Sequence, residues 1–122
     1  MTLEECYAAC NGDYLSARSR LMGEALVSRF LLMFLDDTSY RTLLEGMEKK
    51  DVDMAFLGAH TLKGVCQNLS LRGLYEPTYQ ITEALRSKDM ESAKLLLPDV
   101  QSAYEDTIGA IQSYKKYIEV DG

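Results

Sequence analysis

The sequence predicts an all-α protein, an antiparallel up-down four-helix bundle with additional short helices at its N-terminus. Apolar residues recur at spacings of three and four along most of the 122 residues, whereas the period-two alternation of β-strands is not sustained. Short polar links between the helical segments favour antiparallel neighbours. The length fits one domain over 1–122, with short helices over 1–22 and the bundle over 24–119.

The first part of the chain is predicted to hold four helices separated by turn residues. Thr2 and Asp13 are candidate N-caps, while Asn11-Gly12 and Gly23 mark the ends of the two short helices. The predicted helices cover about 3–10, 14–22, 24–35 and 39–49. The third is predicted to be a core helix, since apolar residues recur along it: Leu26, Phe30, Met33 and Phe34, with Val27 and Leu31 alongside.

The longest apolar stripe lies on a predicted central helix over about 52–69. Its members are Val52, Ala55, Phe56, Ala59, Leu62, Cys66 and Leu69. Ser70 is expected to cap the following segment. Because proline interrupts a helix interior, Pro77 predicts a short turn at 71–75 before a helix over 77–87. Pro98 likewise predicts a kink or a break in a last helix over 90–119.

Charge and composition argue against several classes of protein. The net charge of −6 and the scattered basic residues disfavour nucleic-acid binding. No apolar run reaches the roughly 18 residues that cross a bilayer, and residues 1–6 lack the pattern of a signal peptide, so we expect a cytoplasmic protein. Cys6, Cys10 and Cys66 are expected to be reduced, buried residues, since a zinc site needs more ligands than the single imidazole of His60 adds.

His60, the only histidine, lies on the central helix with three further residues of functional interest. At about 100° per residue, Lys63 falls near −60°, Gly64 near +40° and Gln67 near −20° from the histidine. The apolar stripe centres roughly 120–140° away. The four residues are therefore expected on one exposed face.

Gly64 is the informative member of this group, because a single surface histidine or lysine usually has no function. A mid-helix glycine costs about 1 kcal/mol relative to alanine, and Gly64 lies one turn from the imidazole. Its missing side chain clears space for a bulky group to approach the histidine, and the neighbouring Lys63 suits a negatively charged one. Together these residues predict a site for a phosphoryl group on histidine.

The segment Ala59-His60-Thr61-Leu62-Lys63-Gly64, continued by Asn68-Leu69, resembles the motif of histidine-containing phosphotransfer (HPt) domains. The similarity covers about 25–114, and its flanks are Phe30 to Leu35 with the acidic residues that follow, Lys50-Asp51, Leu74 and Ala84-Leu85. Ser70 stands where the family often has glycine, and Pro77 and Pro98 are unusual in a bundle.

The resemblance implies a phosphoryl carrier and not an enzyme. His60 would take a phosphoryl group from the phospho-aspartate of a receiver domain and pass it to another aspartate. Lys63 would neutralise phosphoryl oxygens, Gly64 would allow close approach, and Gln67 is a weaker candidate for a hydrogen bond. Such chemistry depends on positioning and charge, and the chain has no ATP-binding loop.

The same resemblance implies the partners of the chain. These are response-regulator receiver domains, hybrid sensor histidine kinases, or both. Neither nucleic acid nor a membrane is an expected partner. We expect a monomer with no cofactor or metal of its own, because the receiver partner would hold the Mg²⁺. The starting Met and the absence of a linker favour a free-standing carrier over a piece of a larger kinase. The sequence does not predict which neighbouring helix completes the docking surface. Arg29 and Phe30 are candidate residues of that surface.

Three alternatives stay open. One is an inactive HPt-like bundle that acts as an adaptor through the same face. Another is a helical enzyme with His60 as general base, although no carboxylate lies three or four residues away to orient it. The last is a phosphatase or dimerising kinase domain; such domains usually have acidic residues beside the histidine, where this chain has Ala59 and Thr61.

Overall fold

The computed structural model describes residues 1–121, and this part of the chain is helical with no β-strand. The elements are α1 (Leu3–Ala9), α2 (Tyr14–Arg20), α3 (Glu24–Met33), a 3-10 turn (Phe34–Asp36), α4 (Ser39–Glu48), α5 (Val52–Asn68), α6 (Arg72–Arg86) and α7 (Met90–Asp121). The predicted all-α class is confirmed. No helix within 1–121 combines the length and the apolar character needed to cross a membrane.

Side-chain caps define the beginnings of several helices, among them α1, α2 and α5. The Thr2 hydroxyl accepts a hydrogen bond from the Glu5 backbone N–H at 3.1 Å, and the Glu5 carboxylate accepts one from the Thr2 N–H at 2.8 Å. This reciprocal pair is a capping box at the start of α1. Asp13 and Asp51 accept backbone hydrogen bonds at the starts of α2 and α5. Asp51 therefore sets where the helix that carries His60 begins.

Neither proline breaks its helix, so the turn predicted at 71–75 and a break at Pro98 are wrong. The kink at Pro98 stays a prediction. Pro77 lies inside α6, and Pro98 lies inside α7, which continues to Asp121, two residues beyond the predicted bundle. Each proline removes one backbone hydrogen bond from its helix. The helices nevertheless continue because both sides of each proline are anchored in the core by buried residues: Leu74 and Ile81 on α6, and Ala93 and Val100 on α7.

Only part of the apolar set predicted for the third helix is buried. Val27, Leu31 and Phe34 are buried, whereas Leu26 is 40% exposed and Met33 is 55% exposed. α3 packs against α2 and α7, and these contacts leave Leu26 and Met33 uncovered. An apolar edge of α3 is thereby left in contact with solvent.

α4 and α5 approach each other closely at two glycines that the sequence analysis did not single out. A Cβ atom on Gly46 would lie 2.5 Å from the Ala55 Cα, and one on Gly58 would lie 2.8 Å from the Leu43 Cα. No side chain fits at either position, because the atoms it would meet belong to backbone. On its other side α5 packs against α6, which in turn packs against α7.

The short N-terminal helices close over the carboxyl end of α5. The buried Tyr7 hydroxyl donates to the Leu69 carbonyl at 2.9 Å, and the Arg20 guanidinium donates to the Gln67 carbonyl. The backbone N–H of Asp13 donates to the Ser70 carbonyl at 2.9 Å. Carbonyls at the end of a helix have no partner within that helix. The N-terminal segment therefore supplies the donors that the end of the central helix lacks.

Ser70 occupies the turn after α5 in a strained backbone conformation. Its φ of +54° lies in the left-handed region that favours glycine. The expectation that Ser70 caps the next helix is wrong: the N-cap of α6 is Leu71, and the Ser70 hydroxyl donates instead to Ser16 at 3.0 Å. This contact with α2 holds the turn in place.

Replacing Tyr7 with phenylalanine is expected to lower the free energy of unfolding by about 1–3 kcal/mol. The change removes the buried donor to the Leu69 carbonyl and leaves that oxygen without this partner. Urea denaturation of the two proteins measures the difference. Tyr117→Phe is the matched control, since its side chain is 41% exposed and its loss of a hydroxyl should change stability little. Equal stability of Tyr7→Phe and wild type would contradict the proposed closure of α5.

The three cysteines are free and buried, as predicted. Burial raises the pKa of the Cys6 thiol to about 12, and it also raises the pKa of Cys66. These thiols pack as small apolar groups. Within the described part of the chain, no group of three or more His, Cys, Asp or Glu side chains is arranged to hold a metal ion.

Candidate functional site around His60

α5 carries the four residues singled out from the sequence on its outer face. His60, Gly64 and Gln67 are exposed, and Lys63 is half-buried. The opposite side of the helix is buried through a stripe of core residues: Ala55, Ala59, Leu62 and Cys66. The structure thus brings the imidazole, the ammonium group and the glycine together within about one helical turn.

Gly64 borders open space. A Cβ atom added there would meet no heavy atom of the described residues within 4 Å, apart from its own helix backbone and chain neighbours. The same holds for Gly109 on α7, so open space alone does not mark a functional glycine. What distinguishes Gly64 is its place one turn after His60 on the same face.

The imidazole of His60 stacks on the ring of Phe56, which lies one turn earlier on α5. The ring centroids are 5.5 Å apart and the ring planes differ by only 9°. Stacking of this kind favours one orientation of the imidazole. Among the described residues, no carboxylate forms a hydrogen bond with the ring. A nucleophilic imidazole does not require one, because it needs only a free lone pair and access for the other reactant.

Lys63 leans from α5 towards α6. Its ammonium nitrogen lies 5.8 Å from the centroid of the Tyr79 ring, a cation–π contact. The contact directs the ammonium group towards α6, and Lys63 lies about 100° from Gly64 around the helix axis.

Two charged residues of α6 that the sequence analysis missed border the site. The Arg86 Nε donates to a Glu83 carboxylate oxygen at 2.8 Å, and the Arg86 guanidinium lies 5.0 Å from the Phe56 ring centroid. The hydrogen bond from Arg86 lowers the pKa of Glu83, with further lowering by the charges of Arg86 and Lys63. Glu83 is therefore an ionised partner of Arg86. In the sequence, the three-residue spacing of Glu83 and Arg86 indicates an ion pair on one helix. It does not show that this pair lies near His60.

A groove of about 810 Å³ opens on the Gly64 side of α5. Phe30 and Met33 of α3 line it together with Gly64 and Gln67 of α5, and Asp36 and Asp37 add acidic side chains. The element that faces the site on this side is therefore α3. Of the two candidate residues named from the sequence, Phe30 lines the groove. Arg29 is exposed and does not line it.

Two exposed apolar side chains lie on the helices that carry the histidine and the groove. Leu57, three residues before His60 on α5, is 60% exposed, and Met33 on α3 is 55% exposed. Large apolar side chains next to a polar reactive group are typical of a surface that meets another protein.

Comparison with protein-family models, with curated proteins and with solved structures gave no match. The chemistry of the site is therefore argued from its own geometry. An exposed imidazole, an ammonium group one turn away and an unobstructed approach over Gly64 suit the capture of a bulky anionic group by a histidine nitrogen.

Proposed function

We propose that the protein is a phosphoryl carrier of the HPt type in a cytoplasmic two-component phosphorelay. It takes a phosphoryl group on His60 from the phospho-aspartate of a receiver domain and delivers it to another receiver aspartate. The observation that carries this proposal is the exposed imidazole, with Lys63 three residues after it on α5 and open space over Gly64 one turn away.

The transfer step is a displacement at phosphorus. A lone pair on an imidazole nitrogen of His60 forms the N–P bond while the bond between phosphorus and the aspartate oxygen breaks, and the carboxylate leaves with the bonding electrons. Lys63 balances charge on the phosphoryl oxygens, and Phe56 holds the ring in position. Gln67 is a weaker candidate for a hydrogen bond to the group. Phosphoryl transfer depends on positioning and charge, and the receiver partner would supply the Mg²⁺.

The receiver domain is proposed to dock over the groove between α3 and α5. Leu57, Phe30 and Met33 offer an apolar surface beside His60, and charged residues surround it. A modest apolar patch with a charged rim suits transient binding. This assignment makes α3 the helix that completes the docking surface.

The arrangement of the helices is proposed to be an antiparallel up-down four-helix bundle of α4 to α7. Its support is that α4 packs on α5, α5 on α6 and α6 on α7, with short links between them. α1 and α2 close the end of the bundle, α3 lies at its side, and the protein is proposed to act as a monomer.

Incubation with a phosphorylated receiver domain is expected to place an acid-labile, base-stable label on the wild-type protein and none on His60→Gln. The reason is that His60 is the single imidazole of the chain. Labelled receiver is mixed with each protein, and the label is followed after separation in acid and in base. Equal labelling of His60→Gln, or no label on wild type from any receiver domain of the same cell, would exclude the relay. Binding of a receiver without labelling would favour the adaptor function.

A further inference from the structure

Glu83 and Arg86, called here the α6 charge pair, lie beside the His60 site. We propose that Glu83 is an internal counter-ion that pairs with Arg86 in the unphosphorylated protein and competes with a phosphoryl group on His60 for it. When His60 is phosphorylated, Arg86 exchanges the carboxylate for phosphoryl oxygens. The inference rests on the proposed function in that it takes His60 as the phosphoryl acceptor. Glu83 thereby acts on the site through Arg86.

The contacts around Phe56 connect the α6 charge pair to the histidine. The Arg86 guanidinium lies over the Phe56 ring at 5.0 Å, and the same ring stacks on His60 at 5.5 Å. Phe56 is thus a common neighbour of the Arg86 guanidinium and the His60 imidazole. Lys63 lies on the same flank, because its ammonium contacts Tyr79, one turn before Glu83 on α6.

The α6 charge pair is poised to exchange partners. The Arg86 and Glu83 side chains are 51% and 43% exposed, and exposed ion pairs of this kind are weak. A phosphoryl group carries about −1.5 to −2 charges at neutral pH, and guanidinium groups bind such oxygens with two parallel hydrogen bonds. The phosphoryl group is therefore a stronger partner for Arg86 than the single carboxylate of Glu83.

Phosphoramidate tests the inference without any partner protein. It transfers its phosphoryl group to the imidazole as an N–P bond forms on His60, and the P–N bond of the reagent breaks with release of ammonia. After removal of the reagent, phosphorus NMR gives the half-life of the phosphohistidine. Cations on the phosphoryl oxygens stabilise the dianion more than the loose, metaphosphate-like transition state, and so they slow hydrolysis.

Glu83→Gln is expected to lengthen this half-life about two- to fivefold, and Arg86→Gln to shorten it by a similar factor. The effect of Glu83→Gln should be smaller when Arg86 is already glutamine, because Glu83 acts mainly through Arg86. Arg86→Lys should restore only part of the half-life, since an ammonium group lacks the planar guanidinium geometry. At about 1 M salt all of these differences should shrink.

Glu119→Gln is the matched control. Glu119 pairs with Lys115 at 3.9 Å on α7, so the change removes one carboxylate charge from another exposed helical ion pair. Its phosphohistidine should have the half-life of wild type. Thermal unfolding of all variants shows whether any change in half-life comes from loss of the fold.

The possible outcomes separate this inference from the relay itself. Equal half-lives for wild type and Glu83→Gln, or fully additive effects of the two α6 substitutions, overturn the inference even if a receiver domain labels His60. Half-lives that depend on Glu83 and Arg86, together with no labelling by any receiver, support the inference and overturn the relay. Failure of phosphoramidate to label His60 overturns the inference, whereas the relay is decided by labelling from a receiver domain.

Discussion

Replacing Gly58 with alanine is expected to lower the free energy of unfolding by about 3 kcal/mol. The added methyl group would lie 2.8 Å from the Leu43 Cα and from the Ser39 carbonyl oxygen, and closer still to the Leu43 nitrogen. All three are backbone atoms of α4, so no side-chain rotation relieves the clash. Overpacking of a core costs about 1–3 kcal/mol, and a backbone clash belongs at the upper end of that range. Urea denaturation measures the loss.

Gly109→Ala is the matched control for this stability change. Gly109 is also a mid-helix glycine, but a methyl group there meets no heavy atom of the described chain within 4 Å outside its own helix. Alanine should therefore stabilise α7 by up to about 1 kcal/mol through its higher helix propensity. If Gly58→Ala is as stable as Gly109→Ala, then α4 and α5 do not pack as closely as the structure indicates.

Replacing Gly64 with leucine is expected to slow phosphoryl transfer from a receiver domain on the order of 100-fold while the protein stays folded. The leucine side chain would enter the open space beside His60 and keep the phospho-aspartate at a distance. Stability should hardly change, because a Cβ atom at Gly64 meets no heavy atom of another element within 4 Å and the side chain extends into an open groove. Rapid-quench measurement of label transfer to His60, with thermal unfolding in parallel, separates the two quantities.

Gly109→Leu is the control for this prediction, since it places the same side chain at an open helical position away from α5. It should transfer at the wild-type rate. Wild-type transfer by Gly64→Leu would contradict the role of Gly64 in access to the histidine. Equal loss in both variants would show that the effect lies in folding and not at the site.

Residues of the site that belong to a single helix were predictable from the sequence. His60, Lys63, Gly64 and Gln67 fall on one face by helical geometry alone, and the structure exposes that face. The core stripe of α5 followed from the same periodicity, because burial along a regular helix depends on the angle around its axis. The roles assigned to these residues stay predictions.

Residues contributed by other helices were not predictable in this way. Arg86 lies 26 positions after His60 and reaches the site because α6 packs against α5, a relation that no local spacing contains. Gly46 and Gly58 were missed for the same reason, since the need for glycine arises from the backbone of a facing helix. Interruption at Pro77 was predicted wrongly because burial on both sides of the proline holds α6 together.

The sequence by itself determined the all-α class, the course of α5 and the set of side chains on its outer face. Local periodicity and capping decide these properties, and both act within a few residues. The tertiary structure decided which surfaces flank the histidine: the groove of α3 beside Gly64 and the α6 charge pair beside Lys63. It also assigned α1 and α2 to the carboxyl end of α5. These relations depend on contacts between residues far apart in the chain, and such contacts form only when the helices pack.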